Sequence, residues 1–126
     1  MSEKPVAERL QVKGQRRLAV LEAPKPVDSR IGVSNARATA EHADVVVLFT
    51  RNQEELDDKL APLLRKLKEG VILWIAYPKL TSTLAADLNR DLLAKRVARL
   101  SLAPVAQIAI DEDWSALRFK LTREAA

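Results

Sequence analysis

Lys79 is followed by Thr81, Ser82 and Thr83, so one cation and three hydroxyls stand together just beyond an apolar run. If a helix begins there, its unpaired N–H groups and positive dipole end would join them in holding a phosphate or carboxylate. The plainer reading is helix capping by Ser and Thr beside a surface lysine. A second group, Asn89, Arg90 and Asp91 with Asp87 one helical turn earlier, supplies an amide, a guanidinium and two carboxylates. An ion pair of Arg90 with Asp87 or with a loop carboxylate, a ligand contact and a cation held by Asp87 and Asp91 are all open. Like charges at that interval are also ordinary on a solvated helix face. The run Asp111-Glu112-Asp113 before Trp114-Ser115 could bind a divalent ion, but hairpin turns are commonly acidic and no further oxygen ligands are evident.

Other chemistry has less support. His42 is the single histidine and the chain has no cysteine, which removes disulfides, thiolate nucleophiles and cysteine-bound metal. No serine stands in a G-x-S-x-G context. Trp74, Tyr77 and Trp114 belong to or adjoin apolar strands, where packing is the expected role. No metal site is expected, and no catalytic residue is assigned.

These groups need a frame. The 126 residues suit one domain burying roughly two-thirds of its unfolded surface. At 48% hydrophobic and 30% charged, the composition is that of a soluble globular protein with a mainly aliphatic core. The longest apolar runs fall far below the ~20 residues of a spanning helix, and no apolar segment of the secretory type follows Met1–Pro5. A cytoplasmic protein that makes no membrane contact is expected. The net charge of +4 lies wholly in the second half: residues 1–63 hold 10 basic and 10 acidic side chains, residues 64–126 hold 11 and 7. Such a bias could attract nucleic acid, or it could be a solvated surface.

Pro5 and the stripe Val6, Ala7, Leu10 predict a short opening helix over 5–11. Arg17 to Leu21 reads as the first core strand, ended by a loop at Pro24 and Pro26. Residues 27–43 show no clean period, with a short edge strand at 36–40. Asp44 to Phe49 reads as a parallel strand covered on both faces. Asn52 and Glu55 predict a capping box for a helix carrying Leu56, Leu60, Leu63, Leu64 and Leu67, kinked or divided at Pro62 and finished by Lys66, Lys68 and Gly70. A strand follows over 71–76, then a helix over 83–98 capped at Thr81–Thr83 and striped by Leu84, Leu88, Leu92 and Val97. Val105–Ile110 and Leu117–Thr122 alternate as a hairpin around the acidic turn. Fraying is expected at Met1–Lys4 and Glu124–Ala126.

This order resembles the second half of the methyltransferase-like Rossmann fold, which closes on an antiparallel hairpin. The segments Lys4-Pro5-x-Ala7-Glu8-Arg9-Leu10-x-Val12-Lys13, Leu73-Trp74-Ile75-x-Tyr77-Pro78-Lys79, Asp87-Leu88-Asn89-Arg90-Asp91 and Asp111-Glu112-x-Trp114-Ser115-Ala116-Leu117-Arg118-Phe119 resemble a family of small bacterial proteins of unassigned function. The resemblance spans nearly the whole chain and implies the fold, without catalytic residues to carry over. A Rossmann cofactor turn needs glycines, whereas this chain reads Leu21-Glu22-Ala23-Pro24-Lys25-Pro26 at that place. No cofactor is expected, S-adenosylmethionine bound in the usual manner included, although Glu22 could meet a cofactor's polar edge.

The expectation is therefore an α/β fold: a single three-layer, truncated methyltransferase-like domain over 1–126, with a mostly parallel sheet and a C-terminal antiparallel hairpin. Its function is unassigned, and the balance leans against catalysis. The preferred role is binding a small ligand or protein partner at the C-terminal edge of the sheet, through Glu22, Lys79, Thr81, Ser82, Thr83, Asn89 and Arg90. The alternatives are a divergent S-adenosylmethionine-dependent methyltransferase or other nucleotide-dependent transferase using Glu22, Asp44, Lys79 and residues between them, and weak nucleic-acid binding by the basic second half.

Overall fold

The computed structural model describes residues 4–121. The fraying expected at the two ends falls, Lys4 apart, outside the described residues. Five strands form one sheet: β1 (Leu18–Leu21), β2 (Val45–Phe49), β3 (Ile72–Pro78), β4 (Leu102–Ala109) and β5 (Trp114–Leu121), in the order β1-β2-β3-β5-β4. β2 is parallel to β1 and β3, while β5 runs antiparallel to both β3 and β4. The sheet is thus mixed rather than mostly parallel. The cause is that the hairpin folds back inward, so β5 takes the place beside β3 and leaves β4 at the edge.

The helices are α1 (Val6–Arg9), α2 (Lys25–Ile31), α3 (Gln53–Leu64) and α4 (Arg90–Val97). Successive strand residues point to opposite faces, and the core divides accordingly. Val46, Leu48, Leu73, Ile75, Leu117 and Phe119 pack with Leu56, Leu60 and Leu63 of α3 and Leu93 and Val97 of α4. Val45, Val47, Phe49, Trp74, Ala76 and Trp114 pack instead with Leu10 and with Val27 and Ile31 of α2. Every residue of β2 is buried, as its unbroken apolar run requires.

Several boundaries depart from the sequence reading. The proline pair opens α2 instead of marking a loop: Pro24 is its N-cap and Pro26 stands in its first turn, where a missing N–H is tolerated. Val27 and Ile31, four apart, bury its inner side. The strand expected at 36–40 is reduced to one parallel bridge, Leu18 to Arg37, after a short turn at Ser34–Ala36. α3 remains one helix through Pro62 and ends two residues later, so the lost hydrogen bond falls in its last turns. Lys66 and Lys68 lie beyond it, and Lys68 pairs with Asp44 at 2.5 Å.

The helix expected over 83–98 shows the largest difference, because only Arg90–Val97 is helical. Asn89 Oδ1 accepts the Leu92 N–H at 3.0 Å, while Asp87 is drawn away to the start of α3. Leu88, Leu93 and Val97 are buried, whereas Leu84 and Leu92 are exposed. Finally, the hairpin strands are longer than expected, with Pro104 on edge strand β4 beside a register shift.

Candidate functional site

The parallel strands end at Leu21, Phe49 and Pro78, and antiparallel pairing of Pro78 with Trp114 brings the β4–β5 turn to the same edge. Glu22, Arg51, Lys79 and Asp113 are therefore neighbours along one rim. Open α/β sheets place ligands at such a rim.

Glu22 adopts φ +64, the left-handed conformation that glycine takes most easily. Its carboxylate lies 3.5 Å from Lys59 Nζ on α3, and its carbonyl accepts Arg51 Nη2 at 3.5 Å. Arg51 is in turn fixed by Glu55, which accepts from Nη1 at 3.0 and 3.2 Å. Glu55 also accepts the Arg51 backbone N–H at 3.0 Å, while Asn52 Oδ1 accepts the Glu55 N–H at 2.8 Å. The capping box expected here is present, with its return bond one residue earlier than the usual arrangement.

At the other end of the rim the Lys79 N–H donates to the Asp113 carbonyl at 2.8 Å, and Ser82 Oγ donates to Asp113 Oδ1 at 2.7 Å. The segment after β3 is thereby clamped to the hairpin turn. That turn is built by Asp111, whose Oδ1 accepts the N–H groups of Asp113 and Trp114, both at 2.8 Å. The Asp111 carboxylate is thus committed to turn formation. Thr81 and Thr83 are exposed. No helix starts at Thr81–Thr83, so the dipole expected to help Lys79 hold an anion is absent from that position. The Lys79 ammonium forms no ion pair among the described residues.

Asn89 and Arg90 come together only as the cap and first residue of α4. Of the options open for Asp87, a pairing with Arg90 gives way to contacts with Gln53. Asp87 Oδ1 accepts the Gln53 N–H at 2.9 Å and its carbonyl accepts Gln53 Nε2 at 2.5 Å, so Asp87 satisfies the start of α3. Nor do Asp87 and Asp91 share a helix, since α4 begins between them. Arg90 is exposed and acts electrostatically on the buried Tyr77 hydroxyl. Burial raises the Tyr77 pKa above that of a free phenol, partly opposed by hydrogen bonds with Ser115 and Gln107. Gln107 Nε2 donates to Tyr77 Oη at 3.0 Å.

Leu21 is level with Leu48 and Ile75, so two strand spacings and a three-residue stagger place Glu22 and Lys79 ~14 Å apart at the backbone. Asp44, by contrast, precedes β2 and lies at the opposite edge, ~16 Å along the strand. There its carboxylate accepts from Lys68 and from the Arg17 N–H at 2.8 Å, which together hold its pKa below the usual carboxylate range. The set Glu22, Asp44 and Lys79 therefore does not form one site.

Sequence reading missed the Asp57–Arg96 fork, with Nε and Nη2 at 2.9 and 2.6 Å, which links α3 to α4. Its members lie 39 residues apart, and no local pattern announces it. Arg96 is the main reason that the Asp57 carboxyl stays below its ordinary pKa. A cavity of about 210 Å³ opens beside it, lined by Leu56, Leu60, Val97 and Arg99 among others. A larger one of about 400 Å³ lies at the opposite edge of the sheet, around Arg16 and Arg17. Neither includes a residue proposed from sequence for ligand binding. Among the described residues no group of three His, Cys, Asp or Glu side chains could hold a metal, and no helix is long and apolar enough to cross a membrane.

Residues 26–123 match the family described as protein of unknown function (DUF3052). The chain belongs to this family. Its function is accordingly that of a domain of unknown function, as the motif resemblance implied. No curated protein matches the sequence. Among solved structures, the ribosomal protein L11 methylase of Lactobacillus delbrueckii subsp. bulgaricus is similar, with TM-score 0.59 and 14% identity over 94% of this chain and 75% of that one. A protein in the NADB-Rossmann superfamily from Streptococcus agalactiae gives TM-score 0.52 and 11% identity, covering 100% of this chain and 72% of its own. Mitomycin 7-O-methyltransferase MmcR gives 0.52 and 10%, with 93% and 53% covered. At these identities the likeness is one of fold, and this family member shares the methyltransferase-like Rossmann arrangement of its neighbours.

Proposed function

We propose that the protein is a non-catalytic, cytoplasmic, methyltransferase-like module, a single three-layer domain that binds a small ligand or a partner at the rim where β1, β2 and β3 end. The observation that carries this reading is the turn after β1. Glu22 keeps the left-handed backbone of a glycine turn but adds a side chain, and Pro24 and Pro26 follow as N-cap and first-turn residues of α2. Glycine at such a turn lets backbone approach a nucleotide, and the free N–H groups of the next helix then face it. Here a Cβ and two pyrrolidine rings take that room, and Pro26 has no N–H to offer. The residues present do not fit S-adenosylmethionine held in the usual manner.

Calorimetric titration of the purified protein with S-adenosylmethionine and S-adenosylhomocysteine tests the reading, with no binding heat expected at millimolar ligand. Methyl transfer to any acceptor would overturn it. A transferase reading would have to proceed without Asp44, which stands at the other edge of the sheet.

A further inference from the structure

The cavity of about 400 Å³ at the edge where the parallel strands begin is lined by Gly14, Gln15, Arg16, Arg17, Asn35 and Ala36, with no carboxylate among them. Arg16 Nη1 donates to the Gln11 carbonyl at 3.0 Å. Arg17 Nη1 donates to the carbonyls of Asn35 and Arg37 at 3.2 and 3.4 Å. Carbonyl acceptors fix a guanidinium in place without cancelling its charge. Arg37, Arg51 and Arg96 are neutralised by Asp28, Glu55 and Asp57 respectively, whereas Arg9, like Arg16 and Arg17, donates to carbonyls, those of Lys4 and Ala109, but lines neither cavity. Neither Arg16 nor Arg17 forms a side-chain ion pair among the described residues. The carboxylate that feels Arg16, Asp44, is already engaged by Lys68 and by the Arg17 backbone N–H.

We infer that this cavity is a site for a small phosphate-bearing molecule, its phosphate held between Arg16 and Arg17. Two charged forks match a dianionic oxyanion better than a single carboxylate, because each guanidinium presents paired donors to adjacent oxygens. The uncharged Gln15 and Asn35 line the same cavity. The volume falls in the range of small-molecule sites and exceeds what phosphate alone needs, leaving space for an organic portion. The site is independent of the rim reading, which concerns the opposite end of the strands.

The test is amide-resolved NMR of the full chain titrated with inorganic phosphate at constant ionic strength, with sodium chloride as the blank. Saturable shifts confined to the Gly14–Arg17 and Asn35–Arg37 segments are expected. Arg16→Gln should weaken binding about tenfold, with the rest of its spectrum unchanged because that guanidinium touches only a carbonyl; Lys95→Gln, at an exposed position of α4, should leave binding unchanged. Shifts that chloride reproduces, or equal affinity in Arg16→Gln, would overturn the assignment. Oligonucleotide affinity that grows with length and falls steeply with salt, without response to phosphate, would make the patch a nucleic-acid surface and equally overturn it.

Discussion

At the scale of single residues, Glu22 is one of four described non-glycine residues, with Gln11, Val33 and Ser101, whose backbone is left-handed. Left-handed φ costs a non-glycine residue ~1–2 kcal/mol, and β-branched side chains suffer most there. Glu22→Val should therefore be at least ~1 kcal/mol less stable than Glu22→Gly in urea denaturation. Trp74 shows a different dependence: its buried Nε1–H donates to the Leu10 carbonyl at 2.9 Å, tying the end of α1 to the sheet. Trp74→Phe should cost ~1–3 kcal/mol, since it leaves that carbonyl without its donor as well as losing ring contacts. Asp44 gives a pH signature. Its folded pKa is lowered, chiefly by Lys68, so the stability it contributes is full above the unfolded carboxylate value and is lost as pH falls through the folded one. With both side chains partly solvated, that contribution is at most ~1 kcal/mol. The stability gap between wild type and Asp44→Asn should hold from neutral pH to about pH 5 and close below about pH 4.

Among the elements, legibility followed how much of the decision was local. β2 and β3 were readable because an unbroken apolar run buried on both faces allows few alternatives, and the start of α3 because Asn52 and Glu55 stand at capping distance. α2 was hidden since two prolines argue for a loop unless they occupy a first turn, and only Val27 and Ile31 repeat at helical spacing. α4 was overextended because Leu84, Leu88 and Leu92 mimic one stripe, whereas Asp87 is committed to Gln53 on another helix, a long-range contact that no spacing discloses. The same contact decides the candidate rim: α4 starts at Arg90, so the hydroxyls of Thr81 to Thr83 are not its caps. The corrected boundary is testable: Asn89→Ala should cost ~1 kcal/mol of stability, while Thr81→Ala and Thr83→Ala should each stay within ~0.5 kcal/mol. Equal losses at all three would mean that the helix does begin earlier.

For the whole molecule, the inward hairpin makes the sheet mixed and brings its turn beside the ends of the parallel strands. The rim so formed is assembled from four chain segments and held by specific bonds, among them Ser82 to Asp113 and Arg51 to Glu55. It supplies a scaffold on which Glu22 and Lys79 face solvent without a glycine-lined seat. The most direct test is an amide-resolved titration with S-adenosylhomocysteine, followed at Glu22, Ala23 and Lys25. The account predicts that these resonances stay fixed at millimolar ligand; saturable shifts there, with ligand protons in contact with Glu22 to Pro26, would contradict it.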